Sequence, residues 1–272
     1  MTRQPTKRSL GGWPLALMCT VIVCACGGGS TAPSPANATP GSNAPSTTAP
    51  SPTLPTGCDA NPCTLRAGTY VLGDTSVIPG LVLTVPAGGW QTFSGGKDQG
   101  EFNLVPPGHP NDRLFIWDDL VAVQSTGAGH GTTHLTNVGT TPDALVSWMG
   151  SNPDLLVVAQ SAPATIGRGI KSTTLAVGVS PAAHYGDPSC PSDPRCADLF
   201  TNPALWGKNE FFGVAGNEQV RLYLAAIKVA GQPQTIFVAL DAPDGAADLG
   251  ALSTAAAPII DSIRLPEGAL AG

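Results

Sequence analysis

The 31 residues from Gly27 to Gly57 contain no charged side chain, and Leu54 is their one large apolar residue. A stretch of this kind cannot bury enough apolar surface to offset the entropy of ordering it, so it is expected to stay disordered. Whatever folds must lie beyond it. Cys58 to Gly272 comprises 215 residues, a size that one domain fills with an ample core.

The segment before the uncharged stretch has the layout of an export leader. Arg3, Lys7 and Arg8 make a positive start, and the 13 residues Trp13 to Ala25 are apolar and uncharged. That run is too short to persist as a membrane-spanning helix. Its end, Val23-Cys24-Ala25-Cys26-Gly27-Gly28-Gly29-Ser30, resembles a bacterial lipobox, where a signal peptidase cuts before a cysteine bearing a diacylglycerol thioether. Small Ala25 fits the position before the cut and bulky Val23 does not, so the expected lipidated residue is Cys26 and not Cys24. The expected organisation is a signal peptide over 1–25, a linker over 26–57 and a single globular domain over 58–272. Acyl chains on Cys26 would hold the protein to membrane lipid on the extracytoplasmic face of the cell membrane. Irregularly recurring prolines favour local polyproline II, and about thirty residues at about 3.1 Å each reach roughly 90 Å from the bilayer.

Without the leader the chain carries 10 basic and 19 acidic residues, and 15 of those acids are Asp. This balance argues against a nucleic-acid partner, whose phosphates require a basic footprint, and against electrostatic adhesion to anionic lipid. Cys58, Cys63, Cys190 and Cys196 fall in the globular part. In an exported domain four cysteines read as two disulfides with three possible connectivities. The local pairs Cys58–Cys63 and Cys190–Cys196 suit closed turns rich in Pro and Asp. A four-cysteine metal site is the rival, disfavoured because the close two-residue spacing of such sites is absent.

The pattern of the globular part is mixed. Gly68–Leu72, Leu81–Pro86, Phe102–Val105, Arg113–Trp117, Leu155–Gln160, Ile170–Val179, Val220–Val229 and Thr235–Leu240 read as strands. Asp118-Asp119 reads as a bulge before Leu120–Val123 re-enters the sheet, and Ala230–Pro233 as a hairpin connection. Thr141-Pro142-Asp143 has the chemistry of a helix start, with Leu145, Trp148 and Met149 forming one apolar face and Asn152-Pro153 ending it. Asp244 is expected to cap a final helix to about Ile260, kinked at Pro258, with Leu249, Leu252, Ala256, Ile259 and Ile263 inward. Pro181 to Asn217 reads as a long irregular excursion. The expected class is α+β, an antiparallel sheet with helices packed on it.

Leu83-Thr84-Val85-Pro86-Ala87-Gly88-Gly89-Trp90, the capped helix over 141–150, the paired strands over 220–240 and the closing Pro258–Leu265 together resemble PsbP-like and LpqN-like secreted lipoproteins of actinobacteria. The resemblance covers most of residues 80 to 265. It implies a PsbP-like sandwich and binding or adaptor roles without a shared catalytic set. The excursion over 181–217 does not come from that pattern.

Motifs for chemistry are few. Ser94-Gly95-Gly96-Lys97 matches S-x-x-K by letter, but two glycines disfavour the helix that chemistry needs. Gly167-Arg168-Gly169-Ile170-Lys171-Ser172 lacks the glycine before lysine of a phosphate loop. His130 and His134 would stand about 13 Å apart on a strand, too far for one metal ion. His109 and His184 sit among Pro and Gly without an obvious carboxylate partner, and Asp187, Asp193 and Asp198 do not have EF-hand spacing. No catalytic residue, metal ligand or cofactor is therefore assigned. Trp206, Phe211 and Phe212 are the candidate contact surface, weighed against plugging of the sheet from outside, which is the commoner fate of large aromatics. These observations point to an anchored domain that binds an envelope protein or a small ligand. A cell-envelope hydrolase with a scattered catalytic set and a structural role in the envelope are the rivals.

Overall fold

The computed structural model describes residues 63–72, 78–92, 102–125, 132–183, 195–203 and 211–269. Cys26, Cys58, His130, His184, Cys190 and Trp206 lie outside the described residues, as do the leader, the linker and Ser94–Lys97. In chain order the elements are β1 (Cys63–Thr64), β2 (Gly68–Val71), β3 (Val82–Val85), β4 (Gln91–Thr92), β5 (Phe102–Leu104), β6 (Arg113–Asp118), β7 (Val121–Ser125), β8 (Thr132–His134), α1 (Pro142–Ser151), β9 (Leu155–Ile166), β10 (Ile170–Val179), β11 (Cys196–Thr201), β12 (Phe212–Ala215), β13 (Gln219–Val229), β14 (Gln232–Ala242) and α2 (Ala246–Ser262).

The centre is a fully antiparallel six-stranded sheet in the order β5-β6-β14-β13-β10-β9. Alternation with a period of two gives it two buried faces. On β14, Ile236, Val238, Leu240 and Ala242 enter one core while Phe237 and Ala239 enter the other. The neighbouring strands repeat the split, Leu114 and Ile116 against Trp117 on β6, Ala225 and Ile227 against Leu222 and Leu224 on β13. Helix α2 and the β2–β3 hairpin cover the first face, and α1 with a second sheet, β12-β11-β7-β8, covers the other. The small β1–β4 pair extends the β5 edge, because Gln91 and Val105 exchange main-chain bonds of 3.0 and 2.8 Å.

Helix α1 forms where its sequence chemistry places it. Thr141 caps it, accepting from the Ala144 amide, Pro142 opens it, and Leu145 and Met149 are buried. Helix α2 differs at its start, since the N-cap is Gly245 with φ 98° and without a side-chain cap bond. Asp244 lies outside the helix, because only glycine suits that backbone conformation. Pro258 is accommodated inside α2, and Leu249, Leu252, Ala256, Ile259 and Ile263 are buried.

Three connections depart from expectation. Asp118-Asp119 makes no bulge: Asp119, at φ 51°, turns the chain out of the large sheet, and β7 pairs with β11 in the second one. The excursion over 181–217 contains β11 and β12, short strands hidden from a periodicity reading because β11 is buried on both faces. The β13–β14 hairpin closes in two residues, Ala230 and Gly231, both with positive φ. That matches a type I′ turn, whose twist suits a tight hairpin. Both described cysteines in this part, Cys63 and Cys196, are disulfide-bonded.

Candidate functional site

Two consecutive turns after β5 line a recess among the described residues. Pro106-Pro107-Gly108-His109 places proline second and glycine third, with Gly108 at φ 79° and the His109 amide donating to the Pro106 carbonyl at 3.4 Å. These are the residues a type II turn requires. His109-Pro110-Asn111-Asp112 follows, closed by the Asp112 amide on the His109 carbonyl at 3.2 Å. Proline in the second position again pre-sets the chain. A four-residue turn brings its first and last residues together, and His109 Nδ1 stands 3.5 Å from Asp112 Oδ2. The sequence reading left His109 without a carboxylate partner. The i, i+3 spacing across Pro110-Asn111 is the signal that would have supplied one.

These turns form one wall of a cleft of about 370 Å³. The connection from β3 to β4 supplies a second wall through Pro86, Ala87 and Trp90. Gly88, at φ 133°, brings that connection so close that an added Cβ would lie 3.5 Å from the Pro107 ring. The third wall is the face of α2 that carries Leu252, Thr254, Ala255 and Pro258. Trp90 and Leu252 are buried at 2% and 1% exposure, so the apolar walls are anchored in the core. The volume and mixed lining suit a small organic molecule.

Asp112 is the unusual group. It is 2% exposed, and its Oδ2 accepts no hydrogen bond. Burial pushes its carboxyl up from the ordinary range, the Asp248 carboxylate adds to the rise, and His109 opposes it. Arg113 Nη1 donates to the main-chain carbonyls of Pro110 and Asp112, at 2.5 and 2.8 Å. A buried oxygen without a hydrogen bond is costly, and here it belongs to a residue that lines the cleft, with His109 Nδ1 3.5 Å away. The catalytic reading gains the His109–Asp112 pair but, among the described residues, no nucleophile beside it. The Thr254 hydroxyl donates to its own helix, at the Gly250 carbonyl, 3.1 Å away.

A second recess, about 290 Å³, lies at the end of α2 between Arg168, Asp261, Ser262 and Arg264. The Gly167-Arg168-Gly169 turn is held there by the Gly167 amide on the Ile260 carbonyl at 2.9 Å. Cationic side chains at a helix C-terminus meet its negative end, which accounts for both arginines.

The candidate contact residues separate. Phe212 is 7% exposed, its ring centroid 4.7 Å from that of Trp117 and 5.9 Å from that of Phe115. It belongs to the core, because β12 sets it against the large sheet and removes it from any contact surface. Phe211 is half-buried, and Trp206 lies outside the described residues. Asp198 is buried at 2% in β11, and His134 is exposed on β8. Among the described residues no group of three His, Cys, Asp or Glu side chains gathers as metal ligands, and no helix is long and apolar enough to cross a membrane. No family model and no curated protein matches the chain.

Proposed function

We propose that the protein is a lipid-anchored extracytoplasmic lipoprotein whose α+β domain captures a small ligand in the cleft beside α2 and does no chemistry on it. The observation that carries the binding reading is the buried Asp112 carboxylate, unsatisfied at Oδ2, among the apolar walls of that cleft. A PsbP-like sandwich is the finer fold we assign, with Cys58–Cys63 and Cys190–Cys196 as its disulfide pairs. The lipobox at Val23–Ser30 supports attachment through Cys26, and the uncharged linker supports a domain standing off the membrane.

The binding role is tested by blocking the cleft. Ala255 is exposed on α2 and lines it, so Ala255→Trp is expected to abolish saturable uptake of small organic ligands while the melting temperature moves little. Undiminished uptake would move the binding site elsewhere. The anchor is tested separately with Cys26→Ser, which is expected to shift the protein from the membrane fraction to the soluble one. Retention at the membrane would count against lipidation at Cys26, since the excess of acidic over basic residues beyond the leader disfavours adhesion to anionic lipid.

A further inference from the structure

The polar groups of the cleft are predominantly acceptors. Asp112 lines it with a buried carboxylate whose Oδ2 accepts no hydrogen bond, and its one ion pair among the described residues is with His109, at 3.5 Å. Pro258 has no N–H with which to close the helical bond to the Thr254 carbonyl, and both residues line the cleft. Asp248 in the first turn of α2 and Asp244 just before it add negative potential at Asp112. Against these stand the His109 ring at the mouth, 45% exposed, and the guanidinium of Arg113.

We infer that the cleft recognises an organic cation, an ammonium head on a compact apolar body, with the head at Asp112 and the body between Trp90, Pro107 and Leu252. This rests on the small-ligand reading above and specifies its chemistry. An ammonium group brings only donors and a positive charge, which is what an unsatisfied buried carboxylate lacks. Neutral ligands add nothing to the partial compensation that His109 and Arg113 supply, and anions add to the negative charge. A hydrated metal ion is a poor fit, because Pro86, Ala87, Trp90 and Leu252 offer it no oxygen ligands from their side chains.

Three probes of nearly one shape separate the possibilities. Benzylamine, benzyl alcohol and benzoate are titrated calorimetrically into the full chain at pH 7.5. Benzylamine is expected to bind at least tenfold more tightly than benzyl alcohol, with benzoate weakest. Asp112→Asn is expected to bring benzylamine to within twofold of the alcohol. Equal affinity of amine and alcohol in the wild-type protein would overturn the cation assignment while leaving the cleft as a ligand site. A preference that survives Asp112→Asn would overturn the role of Asp112. If none of the three bound saturably, the inference and the small-ligand reading would fall together. The wild-type comparison decides the cation assignment even if the variant fails to fold.

Discussion

Phe212→Ala is expected to lower the unfolding free energy by about 3–5 kcal/mol, the range for emptying a buried aromatic site. Phe212 packs edge-on against Phe115 and tilted against Trp117 in the core between the large sheet and the second one. Phe115 and Trp117 are themselves stacked with centroids 4.5 Å apart. Losing one ring of three strips the other two of an aromatic neighbour, and such contacts contribute about 0.5–1.5 kcal/mol beyond area alone. For a domain of this size the loss corresponds to a fall in melting temperature of roughly 10 °C. Thermal unfolding followed by circular dichroism reads this directly. An unchanged melting temperature combined with weakened capture of a partner would favour the contact-surface reading of Phe212 over the plug. Phe211→Ala is the internal comparison, and its smaller burial should make its effect smaller.

The signals legible in the chain divide by how local their chemistry is. Elements with strong local chemistry stood out. Thr141-Pro142-Asp143 defined the start of α1, and Ile170–Val179 had the bounds of β10 from its apolar pattern alone. Elements defined by what they pack against did not. Cys196–Thr201 reads as Cys, Ala, Asp, Leu, Phe and Thr, with neither alternation nor an unbroken apolar run, yet all six residues are buried as β11 in the second sheet. Burial on both faces erases the period-two signal that marks a half-buried strand. For Phe212 the sequence admits both a contact surface and a plug of the sheet, and β12 settles it as a plug by setting the ring against Trp117 and Phe115. What the chain does not reveal is the second sheet that carries the ring there.

The cleft was half legible. Pro106-Pro107-Gly108 marked a loop, and Pro86 with Gly88-Gly89 marked another, but their meeting depends on tertiary placement. The Gly88–Pro107 approach and the α2 face between Leu252 and Pro258 join segments about 150 residues apart. The His109–Asp112 pair is different, because its spacing is local. Turn chemistry at Pro110-Asn111 was sufficient to predict it, and reading histidines only for catalytic or metal partners passed over it. Asp248 and Asp244 reach Asp112 electrostatically through the fold, which no spacing in the chain reveals.

Stability should fall as pH rises from about 4 to 7, and Asp118→Asn should flatten much of that slope. Asp118 ends β6, 6% exposed, on the same face as Leu114 and Ile116. Burial, followed by the neighbouring Asp119 carboxylate, raises its carboxyl from 3.8 to about 7, with its own backbone amide acting in the opposite direction. The folded state therefore holds a proton that the unfolded chain releases near pH 4. Its contribution is fully present below that pH and is lost as pH climbs toward the folded value. Across the whole interval the linkage amounts to about 4 kcal/mol at most. The raised Asp112 carboxyl acts with the same sign, so the variant should keep a shallower slope and not a flat line. Urea unfolding at half-unit steps from pH 4.5 to 8 measures both proteins. At pH 8 the variant should be the more stable, because asparagine leaves no buried charge to form. Parallel slopes in the two proteins would mean that Asp118 ionises in the folded state as readily as it does in water, and that the Asp119 turn, contrary to its geometry, leaves the carboxylate solvated.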